Sequence, residues 1–415
     1  MNHQLQAVIF CGGLGTRLRP ITNSLPKPMV PISDKPFLEY LLLQLSSQGI
    51  KRFILLTGYM GKLIHEYFGD GSKWGWSIDY SNGPKEWDTG RRLWESRSLL
   101  EDKFLLLYSD NFIQFDLNKL MNLHQEKKLA VSLLLAPKKN GNIKVSRNGS
   151  IKAYVKNRMG NEFNYVEVGY MIIERDYIFS LYSSHKNSPD ISFTNILEKL
   201  VKNKQIAGLI VNDPYHSISD KSRLKLMRKY LVPKKIILID RDGVINKKAS
   251  KGEYIKSLKE FEWIEDTVQS MMHLANQGFS FVIVTNQAGI ARGIVSEKEL
   301  TRIHKLIISK FHSKGIKIHD IFYCPHHWDE NCDCRKPKTG LFFQISKKYM
   351  LRMDTTIYIG DDIRDVEAAY NAGCGSVLIS SKTQNYILNK PKFTIRVNKL
   401  SDALEKIEKY MNKFK

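Results

Sequence analysis

Cysteine is scarce in this chain: 415 residues carry five, and three of those fall within one stretch of eleven, Cys324 to Cys334. Thiols this few, odd in number and clustered favour a metal site over a disulfide framework. Long apolar runs are missing, and none approaches the roughly 20 residues of a membrane-spanning helix. The opening residues, MNHQLQAVIFCGG, lack the charged start, long apolar core and cleavage site of a signal peptide. The expectation is a cytoplasmic protein with no membrane partner. Internal repeats and low-complexity segments are also absent. Acidic residues are outnumbered, 42 against 64 Lys and Arg, for a net charge of +22. Such a balance permits nucleic-acid binding. The basic residues are scattered, however, and no zinc-finger histidine pair, RNA-binding aromatic motif or basic zipper occurs. Anionic small substrates are the simpler partners, and no nucleic acid is expected.

What is present suits a two-domain α/β protein. Single cores rarely grow beyond about 250–300 residues, and a composition of 42% hydrophobic and 26% charged residues is ordinary for a globular chain. Val232-Pro233-Lys234-Lys235 reads as the boundary, dividing residues 1–232 from 233–415.

The first half opens with a strand-like run, Leu5 to Cys11, followed by Gly12-Gly13-Leu14-Gly15-Thr16-Arg17-Leu18-Arg19-Pro20. Glycines after a strand let the backbone turn tightly, and their N–H groups can cradle phosphate. Arg17 adds charge-assisted hydrogen bonds. Lys27, pinned between Pro26 and Pro28, can be held toward the same phosphates. Further strands are expected at Phe53–Thr57 and Phe104–Tyr108, with helices at Lys35–Gln48 and Leu117–Lys127 and another from Asp220.

GGxGTRLxP followed by PKP resembles the sugar-phosphate nucleotidyltransferase family over Gln4 to Tyr230. The resemblance implies an αβα sandwich, with Gly12, Gly13, Gly15, Thr16, Thr89 and Gly90 against the nucleotide and Arg17 and Lys27 acting on its phosphates. It implies a magnesium ion on Asp110, a sugar-phosphate contact at Lys156, and sugar hydroxyls at Glu167 and Gly169. A surface lysine and a strand glutamate are the plain alternatives at Lys156 and Glu167. One departure stands out: many relatives carry a second metal aspartate where this chain has Ser217. Asp213 or Asp220 could compensate, or one metal contact is missing.

The second half is organised around Ile236 to Asn246, IILIDRDGVIN. A short apolar run delivers Asp240 and Asp242 into a glycine turn, and carboxylates at i and i+2 can divide nucleophilic and proton-transfer work. Three more segments follow: Val284-Thr285-Asn286-Gln287, Arg335-Lys336-Pro337 and Gly360-Asp361-Asp362-Ile363-Arg364-Asp365. Four such motifs in order resemble the haloacid dehalogenase superfamily over Ile236 to about Ile379. The resemblance implies a Rossmannoid domain in which Asp240 attacks phosphorus, Asp242 moves protons, and Thr285 and Lys336 grip the phosphoryl oxygens. Magnesium would sit on Asp240, Asp361 and the Asp242 backbone carbonyl, with Asp365 holding water or orienting the loop. Between the second and third motifs, Cys324-x-His326 and Cys332-x-Cys334 offer three sulfurs and one imidazole, which fits tetrahedral zinc. His327 is the alternative imidazole.

Within the superfamily the closest resemblance is to the D-glycero-D-manno-heptose 1,7-bisphosphate 7-phosphatases, and histidinol-phosphate phosphatases are the nearest rival. Ala291-Arg292-Gly293 favours the former, with Asn286, Arg292 and Arg335 contacting substrate and Arg292 meeting the distal phosphate. The expected protein is a bifunctional enzyme supplying GDP-heptose for surface polysaccharide, such as lipopolysaccharide, capsule or S-layer glycan. Its partners would be sugar phosphates and a nucleoside triphosphate, with magnesium in both domains, and a homo-oligomer is left open. The rival reading keeps a phosphatase beside a degenerate, nucleotide-binding first domain.

Overall fold

Alternating strand-like and helix-like segments predict layered α/β units. The computed structural model of the chain has this organisation and describes residues 5–146, 150–155, 162–182, 191–250, 252–380, 391 and 393–414. The packing of the backbone separates two units, Met1–Leu231 and Val232–Lys415.

The first unit is built on a nine-stranded sheet. Its central strand, Gln6–Phe10, is buried throughout and lies between the parallel strands Arg52–Thr57 and Lys103–Tyr108. Ser77–Asn82 continues the parallel set beyond Arg52–Thr57. On the other side Tyr165–Glu174 runs antiparallel to Lys103–Tyr108 and to Val131–Pro137, which in turn pairs in parallel with Ile206–Ile210. The carboxyl ends of the parallel strands therefore share one edge, the usual place for a ligand in an open α/β sheet. The helix expected from Lys35 begins at Phe37 instead, because Lys35–Pro36 pairs with Pro31–Ile32 and Pro36 keeps an extended ψ of 148°. Leu117–Lys127 and Lys221–Leu231 are helical.

Arg92 ties the ligand edge of this sheet together. It is buried and donates to the carbonyls of Thr57 at 2.7 Å, Pro84 at 2.6 Å and Gly12 at 3.4 Å. A β-carbon at Gly12 or Gly58 would lie 2.4 Å or 2.6 Å from its guanidinium. These two positions are glycine for packing against an arginine within the protein.

In the second unit all six strands are parallel, in the order Ile318–Cys324, Ser280–Asn286, Ile236–Ile239, Ile357–Gly360, Gly375–Ile379, Thr394–Val397. Side chains alternate across the sheet. Ile237 and Ile239 pack on one face with Ile283 and Ile359, while Ile236 and Leu238 pack on the other with Val282, Val284 and Tyr358. Burial on both faces explains why Ile236–Ile239 is apolar at every position. Asp240, Gln287 and Asp361 follow the ends of three strands, and Pro325 follows a fourth, whose loop leads through the cysteines to Arg335-Lys336-Pro337. Among the described residues no helix is long and apolar enough to cross a membrane.

Replacing Arg92 by Met should leave buried carbonyls unpaired and destabilise the first unit by about 2–4 kcal/mol. Denaturant unfolding of the full chain, followed by tryptophan fluorescence, should show an earlier transition for the variant.

Candidate active sites

In the second unit the polypeptide turns at Asp240 as it leaves the buried central strand. Gly243 permits the turn with a φ of 88°, and a β-carbon there would lie 2.2 Å from the Asp361 carboxylate. Lys336 Nζ lies 2.9 Å from Asp240 Oδ2 and 2.8 Å from Asp365 Oδ1, with all three residues buried. Buried charges are tolerable only when their hydrogen bonds are satisfied. Nζ also meets the Val284 carbonyl at 3.1 Å and the Tyr358 hydroxyl. Asp365 accepts the backbone N–H groups of Asp361 and Asp362, both at 3.1 Å. Asn286 fixes the Lys336 backbone, accepting its N–H at 3.1 Å and donating to its carbonyl at 3.2 Å.

Lys336 alone does not balance the carboxylates gathered around it. Burial pushes the Asp240 carboxyl up to about 7, against the pull of Lys336 and with help from Asp365 and Asp242. Burial also raises Asp361, opposed by Lys248, whose Nζ is 2.8 Å from its Oδ2. Asp361 Oδ1 is buried without a partner. Carboxylate oxygens of Asp240, Asp361 and Asp365 lie within 4.8 Å of one another. An under-neutralised set of oxygens with one unmet fits a hard divalent cation such as magnesium.

The Asp242 carboxylate faces a different group. Arg241 Nη2 donates to its two oxygens at 3.0 and 2.8 Å, Asn246 at 2.9 Å and Gln287 at 2.8 Å. Burial would raise its pKa, but these donors prevail and hold it below the ordinary carboxylate range. The Thr285 hydroxyl is buried in the same network and accepts from Gln287 at 2.9 Å. Arg335 Nη1 is buried and unpartnered.

The cysteine loop closes on itself next to this site. Cys332 Sγ is 3.6 Å from Cys324 Sγ and 3.5 Å from Cys334 Sγ. His326 Nδ1 is 3.6 Å from Cys324 Sγ and 3.1 Å from Cys334 Sγ. Tetrahedral zinc would ask for about 3.8 Å between sulfurs and about 3.6 Å between sulfur and nitrogen. The set fits with small adjustments. His327 is turned away, with Nδ1 3.2 Å from Asp329. Trp328, 52% exposed, places its ring 5.5 Å from the Arg292 guanidinium, which also lies 5.7 Å from Tyr254.

In the first unit the glycine turn ends in a short 3-10 helix, Thr16–Leu18. Gly15 has a φ of 63°, and its β-carbon would crowd Lys27 and Thr22 at 3.0 Å. Gly13, Thr16 and Arg17 are exposed, and Gly13 has open space around it. Lys27 Nζ meets Asp110 Oδ2 at 2.6 Å, so the proline-pinned lysine does reach the strand-end aspartate. A cleft of about 250 Å³ is lined by Arg17, Asp110, Asn142, Glu167, Ser217 and Arg223, among others. Burial pushes the Glu167 carboxyl up to about 7, although the Gly169 N–H donates to it at 2.8 Å. Gly169 sits in a bulge with a φ of 78°, against the Tyr108 ring. Thr89 and Gly90 serve a neighbouring segment: Thr89 Oγ1 accepts from Phe193 N–H at 2.8 Å, and Gly90 N–H donates to the Ile191 carbonyl at 2.9 Å. Lys156 lies outside the described residues.

Residues 6–215, half of the chain, match the family described as nucleotidyl transferase, and residues 235–392 match the one described as polynucleotide kinase 3 phosphatase. A D-glycero-alpha-D-manno-heptose-1,7-bisphosphate 7-phosphatase of Photorhabdus laumondii is 35% identical over 175 residues, covering 39% of this chain and 94% of its own. The two families are those of a nucleotidyl transferase and a heptose-bisphosphate phosphatase. This chain belongs to both. A D-glycero-beta-D-manno-heptose-1,7-bisphosphate 7-phosphatase of Pseudomonas aeruginosa is 36% identical over 156 residues, covering 38% of this chain and 86% of its own. The crystal structure of D,D-heptose 1.7-bisphosphate phosphatase from B. bronchiseptica, complexed with magnesium and phosphate, is 29% identical. It covers 42% of this chain and 98% of its own, with a TM-score of 0.39.

Motif reading of the phosphatase unit reached Asp240, Lys336 and Asp361 but gave no role to Arg241, Gln287 or Tyr358. Arg241 and Gln287 stand inside the quoted motifs, and only their burial reveals the clamp they form on Asp242. In the transferase unit Arg92 and Arg223 were missed. The glycines at 12 and 58 were the visible trace of the first, since each leaves room for its guanidinium.

Glu167 generates a pH prediction. A carboxyl whose folded pKa stands near 7, against an ordinary 4.5, binds its proton more tightly when folded. Stability then falls as pH rises between those values. Glu167→Gln should remove that part of the fall. Unfolding curves at pH 5 and 7.5 should show the variant gaining on the parent as pH rises, and a pH-independent difference would count against a raised carboxyl.

Proposed function

We propose that this protein removes the 7-phosphate of D-glycero-D-manno-heptose 1,7-bisphosphate and then joins the resulting heptose 1-phosphate to the nucleotidyl group of GTP, making GDP-heptose. The observation that carries the reading is the buried Asp240–Lys336–Asp365 cluster with the unmet oxygen of Asp361, on one chain with a glycine-turn transferase cleft. Relatives of the phosphatase unit named for the heptose bisphosphate support the substrate. Hydrolysis at C7 followed by transfer at C1 makes the two activities consecutive.

In the phosphatase, an Asp240 carboxylate oxygen attacks phosphorus as the bond from phosphorus to the C7 oxygen breaks. The departing alkoxide takes a proton from Asp242. Water then attacks the aspartyl phosphate, Asp242 accepts its proton, and inorganic phosphate leaves with Asp240 restored. The grip of Arg241 and Gln287 favours ionised Asp242, which suits the water-activating half. Proton donation to the alkoxide requires that grip to loosen when substrate enters. Lys336 offsets charge on the transferring group, and the unpaired Nη1 of Arg335 offers a further donor. Asp240, Asp361 and the Asp242 carbonyl would hold magnesium, which when bound neutralises the dianionic phosphate. Asp365, committed to Lys336 and two N–H groups, orients the loop. Asp110 would hold magnesium in the transferase, where Arg17 and Lys27 meet the triphosphate.

Cys324, His326, Cys332 and Cys334 would hold structural zinc, bracing the segment that presents Arg335 and Lys336. A cytoplasmic setting suits both the free thiols and the substrates. Arg292, against the Trp328 ring of the cysteine loop, would meet the phosphate that is kept.

Given heptose 1,7-bisphosphate, GTP and magnesium, phosphorus NMR should show inorganic phosphate first, then pyrophosphate and GDP-heptose, with ATP, CTP and UTP run alongside. Preference for histidinol phosphate, or loss of the 1-phosphate first, would overturn the reading. Asp240→Asn should abolish phosphate release while transfer from supplied heptose 1-phosphate continues. Elemental analysis after dialysis should find one zinc per chain, and Cys332→Ser should lose it together with most phosphatase activity.

A further inference from the structure

Arg223 is anchored in the wall of the transferase cleft. His216–Ser217 pairs antiparallel with Asn111–Phe112, setting Ser217 opposite Asn111, and the Ile218 N–H donates to the Asp110 carbonyl at 2.9 Å. Ser217 is thereby held beside the metal-binding candidate Asp110. The hydroxyls of Ser217 and Ser219 are both buried and accept from Arg223 Nη1 at 3.2 and 3.1 Å. Arg223 Nε lies 3.4 Å from Asp220 Oδ2. Two of the three guanidinium nitrogens are thus held by protein. The third, Nη2, has no hydrogen bond among the described residues, and the side chain lines the cleft with Arg17, Asp110 and Glu167.

Nearby in the cleft, Asn142 Oδ1 is buried without a partner. An unmet acceptor of that kind calls for a hydroxyl or N–H donor. An anchored guanidinium with one free edge calls for an anion. Together they describe a ligand with a phosphate at one end and hydroxyls at the other.

We propose that Arg223 holds the phosphate of the sugar phosphate in the transferase, with the Ser217 and Ser219 hydroxyls aiming its guanidinium. The proposal rests on the transferase reading above and adds a residue to it. It also gives Ser217 a purpose. The hydroxyl there orients a guanidinium that Asp220 already faces at Nε, whereas a second carboxylate, at 217, would pair with Nη1 and turn the local balance against the phosphate.

The test uses the full chain carrying Asp240→Asn, so that the probe, heptose 1-phosphate, is not hydrolysed. Calorimetry measures its binding, and pyrophosphate release measures turnover. Arg223→Gln should weaken binding about 10- to 100-fold, the range for losing a charge-assisted contact. Arg223→Lys should fall between, because it keeps the charge and loses the fork. Ser217→Asp should bind more weakly and turn over more slowly than its parent. Phosphatase activity, measured with Asp240 restored, should be unchanged in all three. Binding by Arg223→Gln within about twofold of the parent, faster turnover in Ser217→Asp, or no binding of the probe by the parent would each overturn the proposal. A parent that binds the probe yet releases no pyrophosphate from any triphosphate would defeat the transfer reading alone, and the binding ratio would still decide the role of Arg223.

Discussion

One ammonium group between two buried carboxylates governs the phosphatase unit. Lys336 cannot leave Asp240 and Asp365 without stranding charge in a low-dielectric interior, and breaking such a group is far more costly than its net contribution to stability suggests. The sheet, the turn and the loops answer to that constraint. The central strand brings Asp240 to the sheet edge, the neighbouring strand brings Asp361 and Asp365, and Lys336 arrives from the segment that follows the cysteine loop. The Tyr358 hydroxyl and the Val284 carbonyl also accept from the ammonium. One carboxylate is then left poorly neutralised at the edge, which is the condition for recruiting a divalent cation and, with it, a phosphate.

The transferase cleft solves a related problem with less burial. Its ligands would carry several negative charges, and its walls provide Arg17, Lys27 and Arg223 against Asp110 and Glu167. Arg92 has another task in the same unit. Its guanidinium donates to three backbone carbonyls, which keeps the loops at the sheet edge in place. Two arginines of one unit thus do different work, and burial and partners tell them apart.

What was legible in the sequence follows the same division. Strand ends are marked by apolar runs that stop at charged or glycine residues, so Asp110, Asp240 and Asp361 were readable, as were both α/β units and the cysteine and histidine spacing. The open choice between His326 and His327 needed coordinates, because adjacent residues in a loop can point either way; here His327 turns to Asp329. Side chains that act within the interior left little trace. Tyr358 occupies one position of an apolar strand, and nothing in such a run announces that its hydroxyl touches a lysine. Thr89 and Gly90 were read as nucleotide contacts, and what the structure adds is a tie that sequence does not show: the Thr89 hydroxyl accepts from Phe193 and the Gly90 N–H donates to Ile191. The helix expected at Lys35 starts late because local pairing of Lys35–Pro36 outcompetes the helical pattern at that end.

The two hydrogen bonds between the Asn286 amide and residue 336 reach only the peptide group. They would form equally with another side chain at that position. The course of the loop and the charge at its end are therefore held by different bonds. Exchange of the lysine would leave the loop pinned by Asn286 but strand the carboxylates of Asp240 and Asp365, so a lineage that altered the charge offered to the substrate would have to alter those carboxylates with it. Diversification of the chemistry at this edge thus proceeds by matched replacements of charge, on a loop that the asparagine keeps in place.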